Sequence, residues 1–209
     1  LERWTGNMAD SQMIQNMLVE LMRMKQVTSE DKVDFVVERA LETADSDESD
    51  YGKVIIFSQF ANEPPIVDRI AAKLGHEAVK FTGNDDVFAR QKVVDQFQTD
   101  PNIRFLVCST KAAQEGLNIT AAGHVIFVDF MWSPSDHSQA EGRAFGRLAD
   151  LHSITSTYIA AQGTVDDHII GILMRKFGQI SSIVDGQDLS SESVTKELLG
   201  ELKNLRMLR

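Results

Sequence analysis

The sequence predicts an α/β fold, a parallel sheet of five to six strands with helices on both faces. Three observations carry that prediction. The unbroken apolar run Val54-Ile-Ile-Phe57 is too short for a helix and reads as a buried strand, and His124-Val-Ile-Phe-Val-Asp129 reads as another strand. Amphipathic segments of about ten residues separate them, the alternation of βαβ units. The 209 residues, 43% of them hydrophobic, can bury a core without covalent staples.

Each element follows from its residues. Residues 8–25 carry Met13, Ile14, Met17, Leu18, Leu21 and Met22 at helical spacing, and five of the eight methionines. Packing on a core is the plain use of such a stripe; an adaptable binding groove is the rarer one. Ser29 is placed to cap a second helix from Glu30 to about Ala44, with Val33, Phe35, Val36, Ala40 and Leu41 as its buried side. A solvated run, Asp45 to Asp50, follows. After the first strand at 54–57, residues 63–74 read as a helix with Pro64 and Pro65 in its first turn. Ala78–Phe81 is a strand, Asp86–Phe97 a helix and Arg104–Cys108 a third strand. The strand at 124–129 precedes a helix from Ser135 to about Arg147. Ile154–Ala160 alternates enough to be an edge strand. Thr164 and Asp167 form a capping box for a helix reaching about Phe177, and a last helix starts at Ser190 or Ser191.

Composition narrows the function. One cysteine, Cys108, allows no disulfide framework and fits a reducing, intracellular compartment. No apolar run is long enough to span a membrane. The chain opens at Leu1 rather than Met, as expected of a piece of a longer protein. Net charge is −10, but residues 28–50 alone hold nine acids against two bases, so the remainder is free to present a basic face. There is no G-x-x-x-x-G-K-[ST] phosphate loop, no G-x-G-x-x-G and no G-x-S-x-G elbow. The five histidines show no ligand spacing, and a metal site is not expected.

In a parallel sheet, chemistry collects at the carboxyl ends of the strands. Ser58-Gln59, Thr82-Gly83, Ser109-Thr110-Lys111 and Asp129 to Pro134 all follow predicted strands. The turn at 109–111 offers hydroxyls, N–H groups and an ammonium suited to phosphate, although a plain strand-to-helix loop has the same composition. Gln139, Arg143 and Arg147, spaced by four, share one helix face. Two guanidiniums there suit a polyanion. A solvated face paired with Glu141 or Asp150 is the alternative.

Taken in order, these runs resemble the SWI/SNF-type helicase-like ATPases. Val54 to Phe60 resembles motif IV, Ser109 to Thr120 motif V, Trp132-Ser-Pro134 the tryptophan-x-proline after a strand ending in Asp, and Gln139 to Arg147 motif VI. Thr82-Gly83, the Arg90 helix, Thr164 to Ile169 and the pair Ser29 and Lys32 also match. Motif VI departs in its arginine spacing of four, in Phe145 where histidine is usual, and in Leu148-Ala-Asp150. Motif V has Ala113-Gln114 where two glycines are usual.

The resemblance implies the second RecA-like lobe of a double-stranded DNA translocase, spanning 51–180. It implies a helical bridge over 1–50 from a first lobe and a bracing helix over 181–209. ATP with Mg2+ is then held mainly by that first lobe, which carries the phosphate loop and acid box, so this piece alone is expected to be inactive. The carry-over gives Arg143 and Arg147 the phosphates, braced by Gln139; Glu115, Gly116 and Asn118 couple the ATP cleft to DNA. Ser58, Gln59, Thr82, Gly83, Ser109, Thr110 and Lys111 line the DNA backbone. Expected partners are double-stranded DNA and the first lobe, with a protein contact through 8–25 or 28–50, and no membrane. The compartment is the cytoplasm of a prokaryote or the nucleus of a eukaryote. An inert RecA-like interaction module, or half of an RNA helicase, is the competing reading.

Overall fold

The computed structural model describes residues 8–46, 52–113, 119–131 and 155–181. The acidic run at 47–50, the expected helices at 135–147 and from Ser190 or Ser191, and the Trp132-Ser-Pro134 step lie outside the described residues.

Among the described residues five strands form one sheet: β1 Val54–Ser58, β2 Ala78–Phe81, β3 Phe105–Ser109, β4 His124–Phe127 and β5 Thr155–Tyr158. Their order is β2-β3-β1-β4-β5, and every neighbouring pair is parallel. From central β1 the chain runs out to one edge at β2, returns through β3, then crosses β1 to reach β4 and the far edge at β5. The order therefore reverses beside β1, and a crevice at its carboxyl end is the expected place for a ligand.

Among the described residues, six helices accompany the sheet: α1 Met8–Asp31, α2 Val33–Asp45, α3 Ile66–Leu74, α4 Val87–Thr99, α5 Thr110–Ala113 and α6 Val165–Ser181. Alternation along each strand builds two cores. Val54, Ile56, Phe105, Val107 and Ile126 face α2 and α3, where Val36, Ala40, Val67 and Ile70 meet them. Ile55, Phe57, Leu106, Cys108, Val125 and Phe127 face the other way, against Val94 and Phe97 of α4. Each side chain of this size contributes about 1.5–3 kcal/mol when fully buried. Cys108, fully buried between Phe57 of β1 and Phe81 of β2, is one of these packing groups. Burial pushes its thiol pKa well above the ordinary value. A third cluster joins Leu21 of α1 to Phe130 and to Val165, Ile169, Ile172 and Leu173 of α6. Tyr158 stacks between Phe127 and Phe130, at 4.7 and 5.9 Å between ring centroids.

Three local expectations are corrected. Ser29 does not cap a helix: α1 continues through Asp31, Ser29 is buried within it, and the break falls at Lys32. On α2 the buried stripe is Val33, Val36, Ala40, Thr43 and Ala44, while Phe35 and Leu41 are exposed. Only one of its two apolar stripes can face the sheet. Pro64 and Pro65 precede α3 rather than starting it. A residue before proline is held out of the α region, so the helix begins after Pro65. Gly75, at φ +69°, ends that helix in a conformation that side-chain-bearing residues rarely adopt.

The remaining starts follow the chemistry of caps. Asp86 accepts from Ala89 N at 2.9 Å at the head of α4. At the head of α6, Thr164 Oγ1 accepts from Asp166 N at 3.1 Å. Asp167 reaches back to accept from Gly163 N at 2.6 Å. The capping box is thus shifted by one residue, with the same result for the orphan N–H groups.

Candidate functional site

The carboxyl rim of the sheet divides into two halves. On the β1–β4 half, Asp129 lies just beyond β4 and is buried. Its carboxylate accepts from Ser58 Oγ at 2.6 Å and from Gln59 N at 3.0 Å. Ser58 Oγ in turn accepts from Phe60 N at 3.1 Å. Parallel pairing aligns Phe57 with Phe127, so Ser58 at the end of β1, Gln59 and Asp129 gather at the same end of the sheet. Gln59 Nε2 donates to the Phe130 carbonyl at 2.8 Å.

That same carbonyl takes a second donor, Lys25 Nζ of α1, at 2.6 Å. Lys25 is 1% exposed. Just beyond the end of α1, Lys32 Nζ donates to Asp166 Oδ2 at 2.8 Å and to the Ile159 carbonyl at 3.1 Å. Asp166 Oδ2 also accepts from Ala161 N at 3.1 Å. Two lysines therefore stitch the exits of β4 and β5, and the head of α6, to the end of α1. Buried charges of this kind persist only when paired and hydrogen-bonded. Burial lowers the Lys25 pKa to about 8, with Lys32 pushing the same way and Asp129 and Asp166 opposing.

The β2–β3 half is open. Thr82, half-buried after β2, donates through N and Oγ1 to Asp85 Oδ2 at 2.6 and 3.2 Å. Asn84 N donates to Thr82 Oγ1 at 3.3 Å, and Asn84 Nδ2 to Asn62 Oδ1 at 3.0 Å. Arg90 is buried behind this turn, with Nε donating to the Asp85 carbonyl at 2.9 Å. Gly83 and Lys111 are exposed. Ser109 and Thr110 are buried at the end of β3, where Ser109 Oγ accepts from Ala112 N at 3.4 Å.

The structure thus brings Ser58 and Gln59 together with Asp129, and sets Thr82, Gly83, Ser109, Thr110 and Lys111 along the same rim. Glu115, Gly116, Asn118, Gln139, Arg143 and Arg147 lie outside the described residues. Sequence reasoning missed Lys25 and Asp166. A signal for Lys25 was present: Leu21, Lys25, Thr28 and Lys32 follow one another at helical spacing, so two lysines sit in phase with an apolar stripe. Among the described residues no group of three or more metal-binding side chains comes together, and no helix is long and apolar enough to cross a membrane.

Comparison with known proteins places this architecture. The family model "Helicase conserved C-terminal domain" matches residues 31–148, more than half of the chain. Helicase-like transcription factor CHR28 of Arabidopsis thaliana is 33% identical over 156 residues, 75% of this chain and 16% of that protein. ATP-dependent helicase ULS1 of Saccharomyces cerevisiae is 32% identical over 164 residues, 78% of this chain and 10% of that protein. The chain therefore spans no more than about a sixth of these curated relatives. Among solved structures, the Sulfolobus solfataricus SWI2/SNF2 ATPase core in complex with dsDNA is similar with a TM-score of 0.59 at 25% identity, covering 85% of this chain and 34% of that one. The parallel five-stranded sheet, its open carboxyl rim and these relatives agree: the chain belongs to the helicase conserved C-terminal domain family, as the RecA-like C-terminal lobe of a SWI2/SNF2-type helicase.

Proposed function

We propose that the chain is the second motor lobe of an ATP-dependent double-stranded DNA translocase. The observation that carries the reading is the rim itself: hydroxyls, an amide, a glycine and a lysine stand at the ends of β1, β2 and β3, level with one another, in a fold whose DNA-bound neighbour is a SWI2/SNF2 ATPase core. Gly83, Gln59, Thr82 and Lys111 offer N–H, amide, hydroxyl and ammonium groups to phosphate oxygens, a mode that holds DNA without reading its sequence. Ser58, Ser109 and Thr110, buried at the strand tips, shape the loops that make those contacts. Glu115, Gly116 and Asn118 couple this groove to the nucleotide.

ATP with Mg2+ is held mainly by a first lobe, which supplies the phosphate loop this chain lacks. From this chain, Arg143 and Arg147 neutralise charge on the transferred phosphoryl, with Gln139 bracing them. Guanidiniums fit that task because they stay charged and fork onto phosphate. Such an arginine finger is typically worth about 10³–10⁵ in rate. The protein is accordingly intracellular, and nuclear if eukaryotic.

The test is DNA-stimulated ATP hydrolysis by the full-length protein, with Arg143→Ala and Arg147→Ala measured separately. Turnover falls by about three orders of magnitude in the variant that has lost the finger, while nucleotide binding persists. Unchanged rates in both variants reject the motor assignment and favour an interaction module without catalysis.

A further inference from the structure

We propose that Asn62 is a positioning residue for duplex DNA: from the loop after β1 it holds Asn84, and so presents the bare backbone of Gly83 to a phosphate. The ligand named here rests on the motor reading above; the hold of Asn62 on the turn does not.

Gly83 is not a glycine that the fold itself requires. Its φ lies outside the left-handed region, and a Cβ placed there meets nothing within 4 Å. Gly75, by contrast, sits at φ +69°. A glycine needed neither for its φ nor for room among its own neighbours serves another end: it lets an outside group come close to the main chain. Gly83 is exposed, and its N–H donates to no group among the described residues. An N–H on bare backbone beyond a strand end suits a phosphate oxygen. The two neighbouring carboxylates are both engaged by main-chain N–H groups, Asp85 at Thr82 and Asp86 at Ala89, which lessens their repulsion of that phosphate.

A donor serves a ligand best where it is held in place. Inside the turn, Thr82 N and Oγ1 donate to Asp85 Oδ2, and Asp85 N donates to the Thr82 carbonyl at 3.3 Å. Arg90 Nε holds the Asp85 carbonyl from α4. These holds come from the turn and from the helix that follows it. Asn62 reaches the turn from elsewhere: its Oδ1 accepts from Asn84 Nδ2 at 3.0 Å, one residue from Gly83. The sheet order is β2-β3-β1, so this bond joins the exits of two strands that are not neighbours, across the end of β3. The strand it spans leads to the exposed Lys111. β2 and β3 pair in register up to Phe81 and Cys108, so Gly83 and Lys111 leave the sheet at the same end.

Asn62 is able to hold because its own loop is anchored on both sides. Phe60 and Pro64, two residues before and two after, are buried. The Phe60 carbonyl accepts from Val67 N at 3.4 Å, and the Glu63 carbonyl from Gln26 Nε2 of α1 at 3.0 Å. Asn62 and Asn84 are themselves exposed. A bond between exposed amides adds little to folding, since water competes for both groups. Its effect is on where the turn stands.

The experiment uses the full-length protein with Asn62→Ala, Gly83→Ala and the double variant. Four quantities are read: the Kd for a blunt-ended DNA duplex of mixed sequence, its slope against salt, thermal stability, and hydrogen exchange over 82–85. Gly83→Ala is expected to leave thermal stability at or above that of the parent, because the added methyl meets nothing in the fold and alanine restricts the unfolded chain. It weakens duplex binding about tenfold, the worth of one charge-assisted hydrogen bond. Asn62→Ala raises exchange at 84 and 85 and weakens binding about two- to tenfold. Its salt slope is parental, since no cation is lost. In the double variant binding is no weaker than in Gly83→Ala alone, because Asn62 acts through Gly83. A merely structural asparagine lowers stability and shows no such dependence on Gly83.

Parental exchange at 84 and 85 in Asn62→Ala, or a parental Kd, overturns the proposal. Losses that multiply in the double variant overturn it too, and make Asn62 a DNA contact of its own. A Gly83→Ala variant that binds as the parent does, or that loses stability in step with binding, overturns the reading of the bare glycine. If the parent binds no duplex, the motor reading fails and the ligand named here fails with it. Exchange at 84 and 85 then still decides whether Asn62 sets the turn.

Discussion

The two halves of the carboxyl rim use similar residues to opposite ends. Around β1 and β4, Ser58 Oγ and the Gln59 N–H donate to the buried Asp129, and Lys25 Nζ and one Gln59 amide hydrogen donate to the Phe130 carbonyl. Around β2 and β3, Thr82 and Asn84 are held by short local bonds, and Gly83 and Lys111 face outward. A serine or threonine at a strand tip is therefore ambiguous by itself. What decides its role is whether a buried carboxylate lies on the neighbouring strand. β1 has Asp129 beside it; β2 has only Asp85, three residues along its own chain. The first arrangement ties two neighbouring strands together through one buried carboxylate, and the second closes a turn within a single loop.

Substitutions can break or sharpen that contrast. Asp129→Ala is expected to have the largest effect, about 3–5 kcal/mol of lost stability, because it orphans a buried hydroxyl and an N–H and removes a charge that favours the Lys25 ammonium. Equilibrium denaturation measures it, and a loss under about 1 kcal/mol shows that the carboxylate does not tie the two strands together. Lys32→Met is expected to cost about 3 kcal/mol by stranding Asp166. The double variant Lys32→Met with Asp166→Leu recovers most of that loss, since a buried pair exchanged for apolar groups is close to neutral.

On the open half the stability effects shrink. Asp85→Ala is expected to cost about 1 kcal/mol and to raise hydrogen exchange at 82–85 alone. Lys111→Ala should stay within about 0.5 kcal/mol of the parent. Its signature is the salt dependence of duplex binding by the full-length protein, the slope falling by about one. A Lys111→Ala variant with parental salt dependence removes Lys111 from the DNA surface.

Much of the fold was legible because its strands are buried on both faces. Val54-Ile-Ile-Phe57 has no other comfortable place than the middle of a sheet, and β1 is its centre. Thr155–Tyr158, more polar and alternating, is an edge. Helix faces were harder to read. On α2, Phe35 and Leu41 are as apolar as Val36 and Ala40, and only the position of the sheet selects between the stripes. The α1–α2 break was misplaced because a serine inside a long helix looks the same as a cap. Within the rim, the strand-tip polar residues announced themselves, and Asp129 stood out as the acid ending a strand. Lys25 did not, because its acceptor is a main-chain oxygen, and main-chain acceptors leave no trace in residue identity.

The burial of Cys108 has a practical side. It is the only cysteine of the chain, it lies in the central layer, and its thiol is held protonated. Thiol reagents need the exposed thiolate, so the native chain is silent toward them. A cysteine introduced at Lys111 or at Phe88, which is 88% exposed, would thus be the single labelling handle of the folded chain. The parent thiol becomes reactive only when β3 comes apart, which makes it an internal clock for unfolding with no engineering at all.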